Sequence, residues 1–136
     1  MKKNKVWTDK SDFLVRVDMF KVDIVFVCNC NEKRTKKALK EACGRNYSNF
    51  KKKQLEGWDN DISLGRMIPF MGGFIVLLKG DGGGFRTFVS IMVHEITHVV
   101  QYILRDRRIP LNEDTEEVHA YLTEYITREA LLKLYY

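Results

Sequence analysis

The chain has 136 residues, 45% of them hydrophobic and 30% charged, with a formal net charge of +5. That length provides one domain, 1–136, with a sizeable core, and the composition excludes a disordered chain. Cys28, Cys30 and Cys43 cannot all pair, which excludes a disulfide scaffold and fits a reduced, cytoplasmic setting.

Lys2, Lys3 and Lys5 make the start basic like that of a signal peptide. The apolar segment that should follow is missing, because Thr8 to Ser11 is polar. The best apolar run, Phe74 to Leu78, is far too short to span a membrane, so no membrane contact is expected. Charge is unevenly placed, at +7 over residues 1–68 and −2 over 69–136. Lys33, Arg34, Lys36, Lys37, Lys40 and Lys51 to Lys53 form a basic stretch that could attract nucleic acid, an anionic surface or an acidic partner. No aromatic residue interleaves with these lysines, and a solvated helix face and polar loop is the simpler account.

Phe13 to Val17 is a short apolar run that starts a strand. In Phe20 to Cys28, Phe20, Val22, Ile24, Phe26 and Cys28 alternate onto one face. Val25 and Val27 make its second half apolar on both sides, as in a strand covered twice. Cys28 and Cys30 share a face, as small buried groups or as metal donors. Glu32 to Cys43 reads as a charged helix with Ala38, Leu39 and Ala42 inward, stopped by Gly44. Residues 45–69 carry little periodicity. Gly57 to Asp61 is a turn, and Pro69 argues against a central strand. Gly73 to Lys79 is the second confident strand, and the glycines of 80–84 lead into a long helix.

That helix, Phe85 to Arg105, contains His94, Glu95, Ile96, Thr97 and His98, the pattern H-E-x-x-H. Residues four apart on a helix have β-carbons about 5–6 Å apart, so both imidazoles reach one ion. Zinc takes neutral imidazole nitrogens and keeps one position for water in catalytic sites. Glu95 stands where its carboxylate can take a proton from that water. Val89, Met92, Val93, Ile96, Val99, Val100, Ile103 and Leu104 recur with helical spacing and bury one side. The glycine turn also suggests a phosphate-binding loop, but Gly84 is followed by Phe85, Arg86 and Thr87 rather than Lys-Ser/Thr.

Catalytic zinc needs a third protein ligand. Asn112 to Thr115 caps a last helix over about 115–133, whose stripe of Val118, Tyr121, Leu122 and Tyr125 should face the core. Glu117 flanks that stripe on one edge and His119 on the other, so geometry alone leaves both open as the third donor. With Asp114 as N-cap, Glu117 also fits the third position of a capping box. Tyr102, Tyr121, Tyr125 and Arg128 are oxyanion candidates, although tyrosines at this spacing more often fill a core edge.

His94-Glu95-x-x-His98 followed by Glu117-x-x-Ala120-Tyr121 resembles small phage-type and prophage-type zinc metallopeptidases of the gluzincin kind. The resemblance covers about residues 73–130. It implies a compact α/β (α+β) zincin-like domain, a single zinc held by His94, His98 and Glu117, and Glu95 as general base. It also implies that the strand before the zinc helix, Gly73 to Lys79, lines the cleft and pairs with extended peptide substrate. The other reading is an inactive zincin-fold binding protein whose basic first half contacts nucleic acid or a protein partner.

Overall fold

The computed structural model describes residues 12–28, 30–43, 58–60, 62–70, 72–79 and 84–135. The chain is a mixed α+β structure with strands β1 (Asp12–Val17), β2 (Val22–Cys28), β3 (Gly65–Phe70) and β4 (Gly73–Leu78). Among the described residues the α-helices are α1 (Glu32–Cys43), α2 (Gly84–Asp106) and α3 (Glu116–Tyr135). The strands form one sheet in the order β1-β2-β4-β3. β1 and β2 are antiparallel, β2 and β4 parallel, and β3 and β4 antiparallel. A parallel pair requires a crossover, and α1 lies within the one between β2 and β4.

Side-chain alternation divides the core between the two sheet faces. Val22, Ile24, Phe26 and Cys28 of β2, with Phe74, Val76 and Leu78 of β4, pack against α2 and α3. Val27, Ile68, Ile75 and Leu77 point to the other face, with Cys30 and Trp58. Trp58 is fully buried there, with the Lys79 ammonium 4.4 Å and the Arg66 guanidinium 4.9 Å from its ring centre. Every residue of β4 is buried. The sheet is therefore covered on both sides, as the doubly apolar second half of β2 requires.

Several expectations need correction. Phe20 leaves the strand for a 3₁₀ turn, Asp18–Phe20, closed by Lys21 at φ 54°. Cys28 and Cys30 do not share a face, because the chain turns after β2 and sets Cys30 in the opposite layer, its Sγ 3.4 Å from the Leu78 carbonyl. In α2 the inward face is Phe88, Met92, Glu95, Ile96, Val99, Val100, Ile103 and Leu104, while Val89 and Val93 are half-buried. The 23 residues of α2 are long and apolar enough to cross a bilayer, yet these eight pack as the core helix of a folded unit. The side chains of Ala38, Leu39 and Ala42, expected to point inward, are not described, and the turns at Gly44 and 80–83 lie outside the described residues.

α2 stops where Arg108 takes φ 58°. Ile109 N–H donates to Leu104 O at 2.8 Å and Arg108 N–H to Arg105 O at 2.9 Å, a Schellman closure with arginine at the usual glycine position. Pro110 follows. The chain then turns through Asn112, whose Oδ1 accepts from Asp114 N–H at 2.9 Å and Thr115 N–H at 3.2 Å. Thr115, whose hydroxyl reaches back to Pro110 O, precedes α3. This places Glu117 second in the helix rather than at the third position of a box begun by Asp114.

Candidate metal centre

α2 rests its apolar face on the sheet and turns His94 and His98 outward, both exposed. Their Nε2 atoms lie 3.2 Å apart, with ring centres at 4.8 Å and planes at 80°. Two imidazole nitrogens bound to zinc at about 2.0–2.1 Å and a tetrahedral angle stand roughly 3.3–3.4 Å apart. The pair therefore has the separation a shared zinc requires. Two lone pairs do not face each other at this distance without a proton or cation between them.

Glu95 sits a quarter-turn round the helix and is 7% exposed. Burial pushes its carboxyl above the ordinary glutamate range, against the opposing pull of His94 and His98. Its side chain lies against the start of β3. A Cβ added at Gly65 would fall 3.1 Å from Glu95 Cγ and Oε2 and 2.6 Å from Ile91 Cγ2. Glycine is thus the residue that lets the strand pass this close to the helix.

This corrects the assignment of the cleft strand. β4 is internal, paired on both sides through its length, and has no backbone edge to offer. The strand beside Glu95 is β3, last in the sheet order and antiparallel to β4. Pro69 argues against a central strand, and β3 is an edge strand, where proline is tolerated. The missed signal was the hairpin: two residues, 71 and 72, join Phe70 to Gly73, with Gly72 at φ 73°.

The chain matches no family model, no curated protein and no solved structure.

The remaining expected residues are less closely gathered. Among the described residues, no group of three His, Cys, Asp or Glu is poised on one ion. Glu117 is exposed in the first turn of α3. His119 is half-buried and lines a hollow with Gln101 and Arg105, the face that continues from His98. Its Nδ1 lies 3.0 Å from Thr115 O, which only accepts, so Nδ1 carries the proton and Nε2 the lone pair. Tyr102, one turn beyond His98, packs edge-on to Phe74 and beneath the Arg105 guanidinium. Tyr121, Tyr125 and Arg128 instead line a separate hollow with Val17, Met19 and Phe20. Tyr125 Oη donates to Arg16 O at 3.1 Å, and Arg128 stands 3.7 Å from Glu124.

Cys28 and Cys30 are free, buried thiols, each pushed above the usual thiol range by burial. They are poor metal donors in this state.

Proposed function

We propose that the chain is a zinc-dependent metallopeptidase of zincin-like fold acting on peptide or protein substrates. The observation that carries this reading is the 3.2 Å approach of His94 and His98 Nε2, next to a buried glutamate on the same helix. His94 and His98 hold the metal. Glu117, in the first turn of α3, is the third donor that the sequence resemblance implies, and His119 is its rival. Zinc in such a site supplies Lewis acidity, acidifying a water and polarising a carbonyl.

The protein's own groups do the rest. Glu95 takes a proton from the attacking water and passes it to the leaving amine nitrogen. Burial raises its proton affinity, the direction in which a carboxylate becomes a better base. β3 receives an extended substrate by strand addition, and Gly65 keeps its first residue against the Glu95 side chain. Tyr102, on the same helix one turn on, is the oxyanion candidate nearest in sequence to the histidine pair.

Elemental analysis of the purified chain should find a single zinc, lost in His94→Ala and His98→Ala. Glu95→Gln should keep the zinc and lose hydrolysis of a peptide library. A wild type that stays metal-free after supplementation, or undiminished turnover in zinc-loaded Glu95→Gln, overturns the reading.

A further inference from the structure

We infer, resting on the metallopeptidase reading, that Arg105 and Arg108 form a subsite for a carboxylate of the peptide substrate, about three residues from the bond that is cut. His94, His98, Gln101 and Arg105 step along α2 at i, i+4, i+7 and i+11, within about 60° of arc at 100° per residue. The histidine face therefore continues into a hollow of about 560 Å³ at the C-terminal end of the helix. Gln101 and Arg105 share that hollow with Arg108, His119 and residues 109–111.

The charge in the hollow has one sign. Among the described residues no carboxylate lines it, although Glu113, Asp114, Glu116 and Glu117 follow closely in the chain. The neighbouring charges are already engaged: Asp106 stands 3.9 Å from Arg107, whose guanidinium donates to the Phe20 carbonyl and lies over the Phe20 ring. Among the described residues, Arg105 and Arg108 have no such ion pair. Arg105 instead lies over Tyr102, its guanidinium carbon 5.3 Å from the ring centre. Stacking holds one face of the guanidinium and leaves its edge donors open to a forked carboxylate. Arg108 takes φ 58° where a helix ends most easily on glycine, and its side chain is exposed, so packing gives no reason for arginine there. Backbone strain of this kind gathers at sites that hold ligands.

The substrate path leads to this place. β3 and α2 run the same way: Gly65 lies against Ile91 and Glu95, and Pro69, further along the strand, shares a hollow with Tyr102. An extended peptide added to the outer edge of β3 therefore follows α2 from the histidines toward Arg105. His98 to Arg105 is about 10 Å of helix, and an extended peptide rises about 3.4 Å per residue. The guanidinium groups thus meet a residue about three removed from the scissile carbonyl. The anions of an unmodified peptide are carboxylates, on an acidic side chain or at the chain end.

The test gives the zinc-loaded full chain three forms of a peptide of about eight residues: end-blocked with one Glu, end-blocked with Gln in its place, and the Gln form with a free C-terminus. The position of the Glu is scanned along the peptide. Two exposed ion pairs at the upper end of their usual strength predict a kcat/KM about 5- to 30-fold higher for a carboxylate about three residues from the cut, shrinking with added salt. A preference for the Glu form assigns the subsite to a side chain, and one for the free-ended form assigns it to the chain end. Arg105→Gln and Arg108→Gly should each remove most of the preference. Arg108→Gly suits the left-handed position, so its Tm should hold or rise as the preference falls, which separates recognition from folding. NMR titration of the isotope-labelled, metal-free chain follows the Arg105 and Arg108 side-chain N–H signals with the same peptides. Shifts of both at lower concentration for a carboxylate form than for the neutral form support the subsite even where nothing is cut, a result that overturns the metallopeptidase reading alone. Equal kcat/KM for all three forms, equal NMR affinities where nothing is cut, or a preference unchanged in both variants overturns the subsite.

Discussion

Replacing Gly65 by alanine tests the packing that sets the edge strand beside Glu95, the proposed general base. The added Cβ would sit 2.6 Å from Ile91 Cγ2 and 3.1 Å from Glu95 Cγ. Carbon atoms rest at about 3.5–4.0 Å, so roughly 1 Å must be found. Ile91 cannot supply it by rotation, because a β-branched side chain in a helix holds one χ1 rotamer. The strand or the helix must move instead. Overpacking of this kind costs about 1–3 kcal/mol, against about 0.4–1 kcal/mol gained by restricting the unfolded chain. The first effect equals or exceeds the second, leaving a net loss of about 0–2.6 kcal/mol and a Tm lower by up to roughly 10 °C. Urea and thermal unfolding measure it. In an Ile91→Ala background the obstructing Cγ2 is gone, and the same glycine substitution should cost at least about 0.5 kcal/mol less. On the proposed function, turnover should fall with β3 displaced while zinc content holds, since no proposed donor is touched. A Gly65→Ala chain more stable than wild type, or equally costly in both backgrounds, would show that the strand does not press on α2 as described.

Other expectations follow from burial. In the metal-free chain Glu95 binds its proton more tightly when folded than when unfolded, so stability is fullest below the ordinary glutamate pKa of about 4.3 and declines as pH rises through the raised value. Glu95→Gln should remove that decline and exceed wild type in stability at neutral pH in chelator; equal or lower stability there contradicts it. Ile126→Ala, in the core between α3 and its neighbours, should cost about 2–5 kcal/mol in urea unfolding. Tyr121→Ala, at a side chain 66% exposed, should cost less than about 1 kcal/mol, and the reverse order would return the original phase of α3. Cys28 and Cys30 should resist iodoacetamide until the chain is unfolded, as mass spectrometry of native and denatured samples would show.

How far the fold could be read depended on how strongly each segment's own pattern spoke. β2 and β4 were legible because both faces are covered, and runs such as Ile75 to Leu78 have no other use. α1 was legible from its bounds alone, between Asn31 and Gly44. β3 was not, because Gly65 and Pro69 weaken a strand by every local measure and its place is set by β4 across the hairpin. Locally, glycine and proline weaken a strand. In the folded chain they are an approach to a helix and an edge.

The phase of α3 explains why the site was only half legible. The buried stripe is Leu122, Ile126, Ala130 and Leu134, strict i,i+4 steps through the second half of the helix. Val118 and Tyr121 belong to the first half, which projects toward the Asp18–Phe20 turn, and they line that hollow rather than meeting α2. Reading all the apolar residues as one stripe rotated the helix. Glu117 lies nine residues before Ile126, which at 100° per residue is half a turn away from the buried side. The approach of the two histidines does not depend on that phase, because it is set within a single helix. A third donor must cross from one helix to another, and only packing sets that distance. Zinc retention in Glu117→Ala and His119→Ala is therefore the measurement that carries information the motif lacks. Loss in Glu117→Ala alone requires the first turn of α3 to rotate toward the histidines when metal binds, and loss in His119→Ala alone requires a shift along the face already shared with Gln101 and Arg105.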